Sequence, residues 1–308
     1  VTGSASMKVR HVDGGAANSG KAFTMGNQLE FAGSGELDNG LTVSLSFVLD
    51  QNDDATAADG TDKTDNDGSP FDSHSVSISS DALGTLTMHG EGGSSAQAAM
   101  DTTAAGDLWD NGYGISTTTA LPETPKASAG ASGMLFYTLP SMVDDLTVTA
   151  SYTPQGTNAD SSTAFGLSYA GVEGLSLNYA VGEDNSTDAA SVDVTTMKAS
   201  YTYGSFAVGY SDTEYDGEST TSTVDQEVKS YNVSYTVSDN ISVAYGTEEI
   251  SQPNVAASQD IDVDAITASY TTGGMTISAM MGNADNTGHS TAVLEDRSMW
   301  HLVASFAF

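Results

Sequence analysis

The feature that most constrains this chain is a period-two hydrophobic alternation that returns along its length, broken by connectors that are by turns short and long. In LTVSLSFVL, Leu41, Val43, Leu45, Phe47 and Leu49 share one face, and Thr42, Ser44 and Ser46 share the other. LTVTASY, LSLNYAV, FAVGY, YNVSYTV, ISVAY and MTISAMM repeat the pattern. Successive side chains of a strand point to opposite faces, so these stretches read as strands with one apolar face. No segment carries a helical period of comparable strength.

The connectors count the strands. They are very short at Asp38–Gly40, Asp81–Gly84, Ser141–Asp145, Gly171–Gly174, Gly204, Ser238–Asn240 and Thr272–Gly274. Between them, longer polar stretches run at about 13–20, 51–72, 92–132, 154–161, 182–193, 212–226, 249–261 and 283–295. Seven short turns alternating with eight long loops make sixteen strands with both termini on the short-turn side. A soluble sandwich does not segregate its loops by length, whereas a transmembrane barrel does. Tilted strands of about ten residues are long enough to cross the hydrocarbon layer. An open edge would leave unpaired backbone groups in lipid, so the sheet must close. The expectation is an all-β fold: a 16-stranded antiparallel transmembrane β-barrel spanning 1–308 as a single domain, with short periplasmic turns and long external loops. Its last strand, SMWHLVASFAF, then pairs with its first, SASMKVRHV.

Composition narrows the function. With 41 acidic and 8 basic residues the net charge is −33 and the pI about 4.1. Such a surface repels nucleic-acid phosphates, and no basic patch tracks them, so no nucleic-acid partner is expected. There is no cysteine, which excludes disulfides, thiol catalysis and Cys-ligated metals. The chain opens at Val1 without a basic and then apolar leader, as expected of a mature exported chain. His11, His74, His89, His289 and His301 form no ligand spacing, and no G-x-S-x-G elbow is present, so the chain is not read as an enzyme.

In such a barrel the usual rule inverts: apolar positions face lipid and the small polar positions face the lumen. Tyr137, Tyr152, Tyr169, Tyr203, Phe206, Tyr235, Tyr270, Phe306 and Phe308 are assigned to short-turn ends, where their rings form a girdle at headgroup level. Small lumen residues cannot fill sixteen strands, so a water-filled pore follows. The connector of about 92–132 holds a weakly helical stretch, SSAQAAMDTTAAGDLWDNGYG. Folding it inward would cover its apolar residues and constrict the bore.

SHSVSISSDALGTLTMHGEGGSSAQAAMDTTAAGDLWDNGYG resembles the fourth strand, turn, fifth strand and third loop of general-diffusion outer-membrane porins of alphaproteobacteria, the Rhodobacter-type trimeric porins. The strand count and terminal Phe308 fit the same family. The resemblance implies a homotrimer, an inward third loop forming an eyelet, and a terminal Phe read by the barrel-assembly machinery. It places Glu91, Asp101, Asp107, Asp110 and Glu123 on the acidic side of the eyelet. Basic residues on the facing wall are expected among Lys8, Arg10, His89, Lys198 and Arg297, which fall on lumen phases, with Lys126 in the loop. These are few, so the transverse field is expected to be weak.

The second loop, DQNDDATAADGTDKTDNDGSPFD, is rich in the carboxylate oxygens that calcium prefers, and Asp62, Asp65 and Asp67 are its candidate ligands, although the spacing is not that of an EF-hand. Otherwise no cofactor is expected. The reading is an outer-membrane porin of a Gram-negative bacterium, set among outer-membrane lipid and lipopolysaccharide. Its channel would be water-filled and cation-preferring, for passive diffusion of small hydrophilic solutes and ions. Two alternatives stand beside it. One is an acidic secreted or surface-layer calcium-binding β protein without a pore, and the other is a substrate-specific channel.

Overall fold

A computed structural model describes residues 1–14, 20–50, 72–113, 115, 125–130, 132–154, 160–185, 191–217, 225–290 and 296–308. Within them the chain forms sixteen antiparallel strands: β1 (Thr2–Asp13), β2 (Gly20–Glu36), β3 (Thr42–Asp50), β4 (Ser73–Ser80), β5 (Gly84–Glu91), β6 (Met134–Thr138), β7 (Leu146–Thr153) and β8 (Ser162–Val172), then β9 (Leu175–Asp184), β10 (Val192–Tyr203), β11 (Phe206–Gly217), β12 (Gln226–Ser238), β13 (Ile241–Ser251), β14 (Ile261–Thr272), β15 (Met275–Asp285) and β16 (Arg297–Ala307). Each pairs with its neighbours in sequence, and β16 pairs with β1, so the barrel is closed. Ser4 to Asp13 run against Ala307 to Ser298. Beyond the ladder, Gly3 and Phe308 exchange backbone hydrogen bonds of 2.7 and 2.9 Å. The terminus is thus tied into the wall, where a free chain end would fray.

The seven short turns join the strand pairs β2–β3 through β14–β15, as the loop pattern requires. At Gly174 (φ 77°) the tight turn takes a left-handed conformation, and an added Cβ would collide with the carbonyl of Thr202. The apolar phase faces outward: Met7, Phe23, Met25, Leu45, Phe165, Met197 and Leu302 are exposed on the barrel exterior. Tyr169, Tyr203, Phe206, Tyr235 and Tyr270 lie at short-turn ends and are exposed, and the Phe206 and Tyr235 rings meet at 4.7 Å. Tyr152 departs from the girdle. It sits near the long-loop end of β7, and its hydroxyl lies 3.0 Å from that of Ser161.

Two further differences from the sequence reading have physical causes. First, the strands run further than the loop pattern implied. Asp193, Glu214, Asp216, Glu227, Glu249, Asp262 and Asp285 belong to strands, on the outward phase that alternates with buried inward residues. The register opposes Glu183 to Asp193, Asp193 to Asp216, Glu214 to Glu227, Glu249 to Asp262 and Asp262 to Asp285. A backbone ladder continues whatever its side chains are, and charges on the outer face are tolerated once the strand has left the hydrocarbon. Second, apolar residues also point inward. Val192, Val194, Tyr215, Val228, Ile250, Ile261, Val263 and Ala265 are buried inside the barrel. What covers them is a loop.

Candidate functional site

The chain between β5 and β6 enters the bore and runs along the inner wall. Its backbone N–H groups donate to side chains of successive strands: Ala96 to Ser151 Oγ on β7 (2.9 Å), Ala104 to Ser211 Oγ on β11 (2.8 Å) and Ala105 to Ser230 Oγ on β12 (2.9 Å). Leu108 and Trp109 both donate to Glu248 on β13, one to each carboxylate oxygen at 2.9 Å, and the Thr103 hydroxyl donates to the same group. The Gln97 amide reaches Thr196 on β10 at 2.9 Å. Because wall acceptors take these N–H groups, the stretch expected to be weakly helical is a series of turns with one 3-10 turn at Leu108–Asp110.

Close approach depends on inward glycines. A Cβ at Gly166, Gly182, Gly209 or Gly246 would stand 2.7 Å from Met100 Cε, 2.9 Å from Gln97 Cβ, 3.3 Å from Ala104 Cβ and 2.6 Å from Ala105 Cβ respectively. On β15 the same position is Gly282, and a Cβ there would collide with the Tyr113 hydroxyl. These glycines form a track into which the small residues of the loop settle. Beyond it, Leu108 and Tyr113 bury against the inward apolar residues of β10 to β16, with Ala105, Trp109 and Ile115 packed alongside. Burying each such side chain contributes on the order of 1.5–3 kcal/mol. The loop therefore lines the wall from β7 to β15, while the inward residues Gln28, Ala32 and Ser34 of β2 stay exposed. The open passage runs along the β1–β5 side.

The acidic candidates divide. Asp101, Asp107 and Asp110 are together on the loop, within one stretch of ten residues. Asp107 takes a left-handed conformation (φ 55°), and its Oδ1 accepts the Thr103 N–H at 2.9 Å, which closes the turn. Burial pushes the Asp101 carboxyl up to about 6, helped by the charge of Asp107 and opposed by Lys198. Asp110 is raised by the same two causes, burial first, with Lys8 opposing. Glu91 lies elsewhere: a bulge in the β4–β5 pairing sets it opposite His74, which shares a face with Phe47 on the lipid side, at 3.8 Å from the ring nitrogen. Glu123, and Asp62, Asp65 and Asp67 of the second loop, lie outside the described residues.

The basic candidates divide as well. Lys8 and Arg10 are on the inward phase of β1, and Gly112 of the loop is the residue against which the Arg10 guanidinium rests, leaving no room for a Cβ. Lys198 Nζ donates to the Thr102 carbonyl at 2.7 Å and so grips the loop. His89 is inward on β5, edge-on to the Phe136 ring at 6.5 Å. Arg297 is at the loop end of β16, donating to the Gly14 carbonyl at 3.1 Å and the Thr287 hydroxyl at 3.3 Å, which places it at the mouth. Around the loop, then, Asp110 lies near Lys8, and Asp101 and Asp107 lie near Lys198.

A closed barrel narrowed by its own loop is the architecture of a conduit. The sequence profile of Gram-negative porins matches residues 1–258. The chain belongs to the Gram-negative porin family. This porin is an outer-membrane diffusion channel and not an enzyme, and the pore-free calcium-binding reading is not favoured. Among solved structures it is similar to the anion-selective porin of Comamonas acidovorans (13% identity, 100% of this chain and 98% of that one, TM-score 0.67). It is similar also to a mutant Rh. blastica porin (15% identity, 100% and 99%, TM-score 0.66) and to in-vitro folded OmpT of Vibrio cholerae in its trimer form (14% identity, 100% and 98%, TM-score 0.68). No relative matches among the curated proteins.

Sequence reasoning missed three things in this porin: Glu248, the glycine track and the inward apolar wall. Glu248 sits in AYGTEEI, where two adjacent acids read as the start of a loop. The glycines recur as AFGLS, AVGED, AVGYS, AYGTE and MMGNA, a repeated signal that acquires meaning once a partner for the groove is known.

Proposed function

We propose that this porin is a cation-preferring channel for passive diffusion of small hydrophilic solutes and ions. What supports the reading is the docked loop, which carries Asp101, Asp107 and Asp110, with Asp110 near Lys8 of β1 and the other two near Lys198 of β10. Clefts lined by one sign of charge concentrate counter-ions, and carboxylate rings favour cations. The excess of 41 acids over 8 bases acts in the same direction at the mouth. The trimer form of Vibrio cholerae OmpT supports a homotrimer; surrounding lipopolysaccharide, and an assembly machinery that reads the terminal Phe308, complete the proposal. The test is reconstitution of purified protein in planar bilayers. Ohmic conductance steps and a reversal potential of cation-preferring sign in a KCl gradient are expected, and a reversal potential of anion-preferring sign overturns the preference.

A further inference from the structure

On the outer face of the barrel, three cross-strand rows run over β15, β16, β1 and β2. The register sets Ile277, Ala304, Met7 and Met25 side by side in the lowest row, and Ala279, Leu302, Val9 and Phe23 in the next. Ala304 is short where its row neighbours are long, and a groove of about 540 Å³ opens between Met7, Val9, Phe23, Met25, Leu302 and Ala304. Phe23, 85% exposed, stands up as its edge. The third row, toward the long loops, is Met281, Trp300, His11 and Lys21. Beyond it the outward positions turn polar, at Asn283, Ser298 and Asp13. The third row therefore stands where the hydrocarbon ends, the level that tryptophan favours. The His11 and Trp300 rings meet at 6.3 Å, and the His11 Nδ1–H donates to the Gly20 carbonyl at 2.8 Å, which fixes the ring beside Lys21. Asp13, the next outward residue on β1, accepts the Gly14 N–H at 3.0 Å. Lys21 is exposed and makes no ion pair among the described residues, whereas Lys229, the other outward lysine of the strands, is held to Glu227 at 2.5 Å.

We propose that the groove and the row above it form a site for an anionic, phosphate-bearing lipid, one acyl chain lying in the groove and the phosphate resting at Lys21. The groove alone would select nothing, because lipid chains are as apolar as the side chains that line it. Selection has to come from the head group, where an ammonium makes charge-assisted hydrogen bonds to phosphate oxygens. Trp300 and His11 cover the junction between chain and head. Elsewhere along this rim the register sets acid against acid, as at Glu214 and Glu227 or Asp262 and Asp285, and such rows repel an anionic head group. The lipid is thereby confined to the face of β16, β1 and β2. Because the site lies outside the bore, it is independent of the ion preference proposed above.

The test uses Trp300 as its reporter. The chain has two tryptophans, and Trp109 packs inside the barrel, so bromine atoms on lipid chains reach Trp300 alone. The full-length porin is reconstituted in phosphatidylcholine vesicles containing a low mole fraction of either chain-brominated phosphatidylglycerol or chain-brominated phosphatidylcholine. At equal mole fraction the phosphatidylglycerol is expected to quench Trp300 more strongly. Lys21→Gln should lower its relative affinity by about fivefold, the effect of one lysine at a membrane surface. Ala304→Phe keeps the lysine but fills the groove, and the excess quenching should fall with it. Both side chains lie outside the bore, so wild-type conductance steps in each variant show the barrel intact. Equal quenching by the two lipids in the wild-type porin would overturn the site. An excess that survives either substitution undiminished would overturn it too, since charge or groove would then be acting without the other.

Discussion

Replacing Glu248 by Gln tests how the constriction is held. The wild-type carboxylate receives three donors: the Thr103 hydroxyl and the Leu108 N–H on one oxygen, and the Trp109 N–H on the other. Gln retains one oxygen and turns the second into an amide nitrogen, which cannot accept. The Trp109 N–H, or its pair, is then left facing a donor in a place from which water is excluded, since Glu248 is 2% exposed. A hydrogen bond to a charged group contributes about 1.5–3 kcal/mol, so docking of the loop tip should weaken by roughly one to two powers of ten. Glu248→Ala removes all three acceptor contacts and leaves two backbone donors unpaired, at about 1–3 kcal/mol each. The expected readout in planar bilayers is current noise and excursions to a larger conductance, modest in the Gln variant and pronounced in the Ala variant. Glu248→Asp, which keeps the charge on a shorter arm, should fall between wild type and Ala. If Gln and Ala channels match wild type in conductance, noise and ion preference, the loop is not held through Glu248 and the reasoning fails.

Other outcomes follow from the same geometry. With Asp101 titrating at about 6, lowering the pH from 7.5 to 5 should remove one negative charge from the loop and reduce cation preference, and Asp101→Asn should already show the low-pH reversal potential at pH 7.5. The sign for stability is opposite: a carboxyl whose folded pKa exceeds its ordinary 3.8 costs docking energy when ionised, so the loop should be held more firmly below about pH 6, measurable as slower proteolysis or quieter current. The chain has no cysteine, so Ala104→Cys with Gly209→Cys gives a clean cross-link test. The Ala104 Cβ lies 3.3 Å from where the second Cβ would stand, near disulfide range, and oxidation should leave conductance unchanged because it fixes the loop where it already sits. Phe308→Ala keeps the backbone pairing with Gly3 but loses the ring, and the amount of assembled barrel in cell membranes should fall, scored by heat-modifiable mobility on gels.

The barrel was legible in the sequence because its determinants are local and repeated. Period-two alternation marks each strand, and the turn glycines and the short-long rhythm of connectors set the count at sixteen. The pairing of β16 with β1 followed from closure alone, since lipid offers no partner for an open edge. The inward phase of Lys8 and Arg10 came from the same alternation. Glu91 was placed by resemblance alone, and a one-residue bulge at His74, which no local pattern announces, sets it opposite that histidine.

The constriction was a different kind of problem. Val194, Tyr215, Val228, Ile250 and Val263 look, as residues, no different from the lipid-facing Leu, Val and Tyr of the same strands. Their burial is decided by a loop that is distant in sequence: Ala105 meets Gly246 across 141 positions, and Trp109 meets Glu248 across 139. By itself, then, the sequence determined a closed sixteen-stranded wall and which of its phases face lipid in the hydrocarbon belt, because water, lipid and backbone pairing act on each strand separately. Only the tertiary structure decided where the third loop lies, which acids and bases it brings to the passage, and which side of the bore stays open. Those depend on the loop's fit to a groove that no single strand contains.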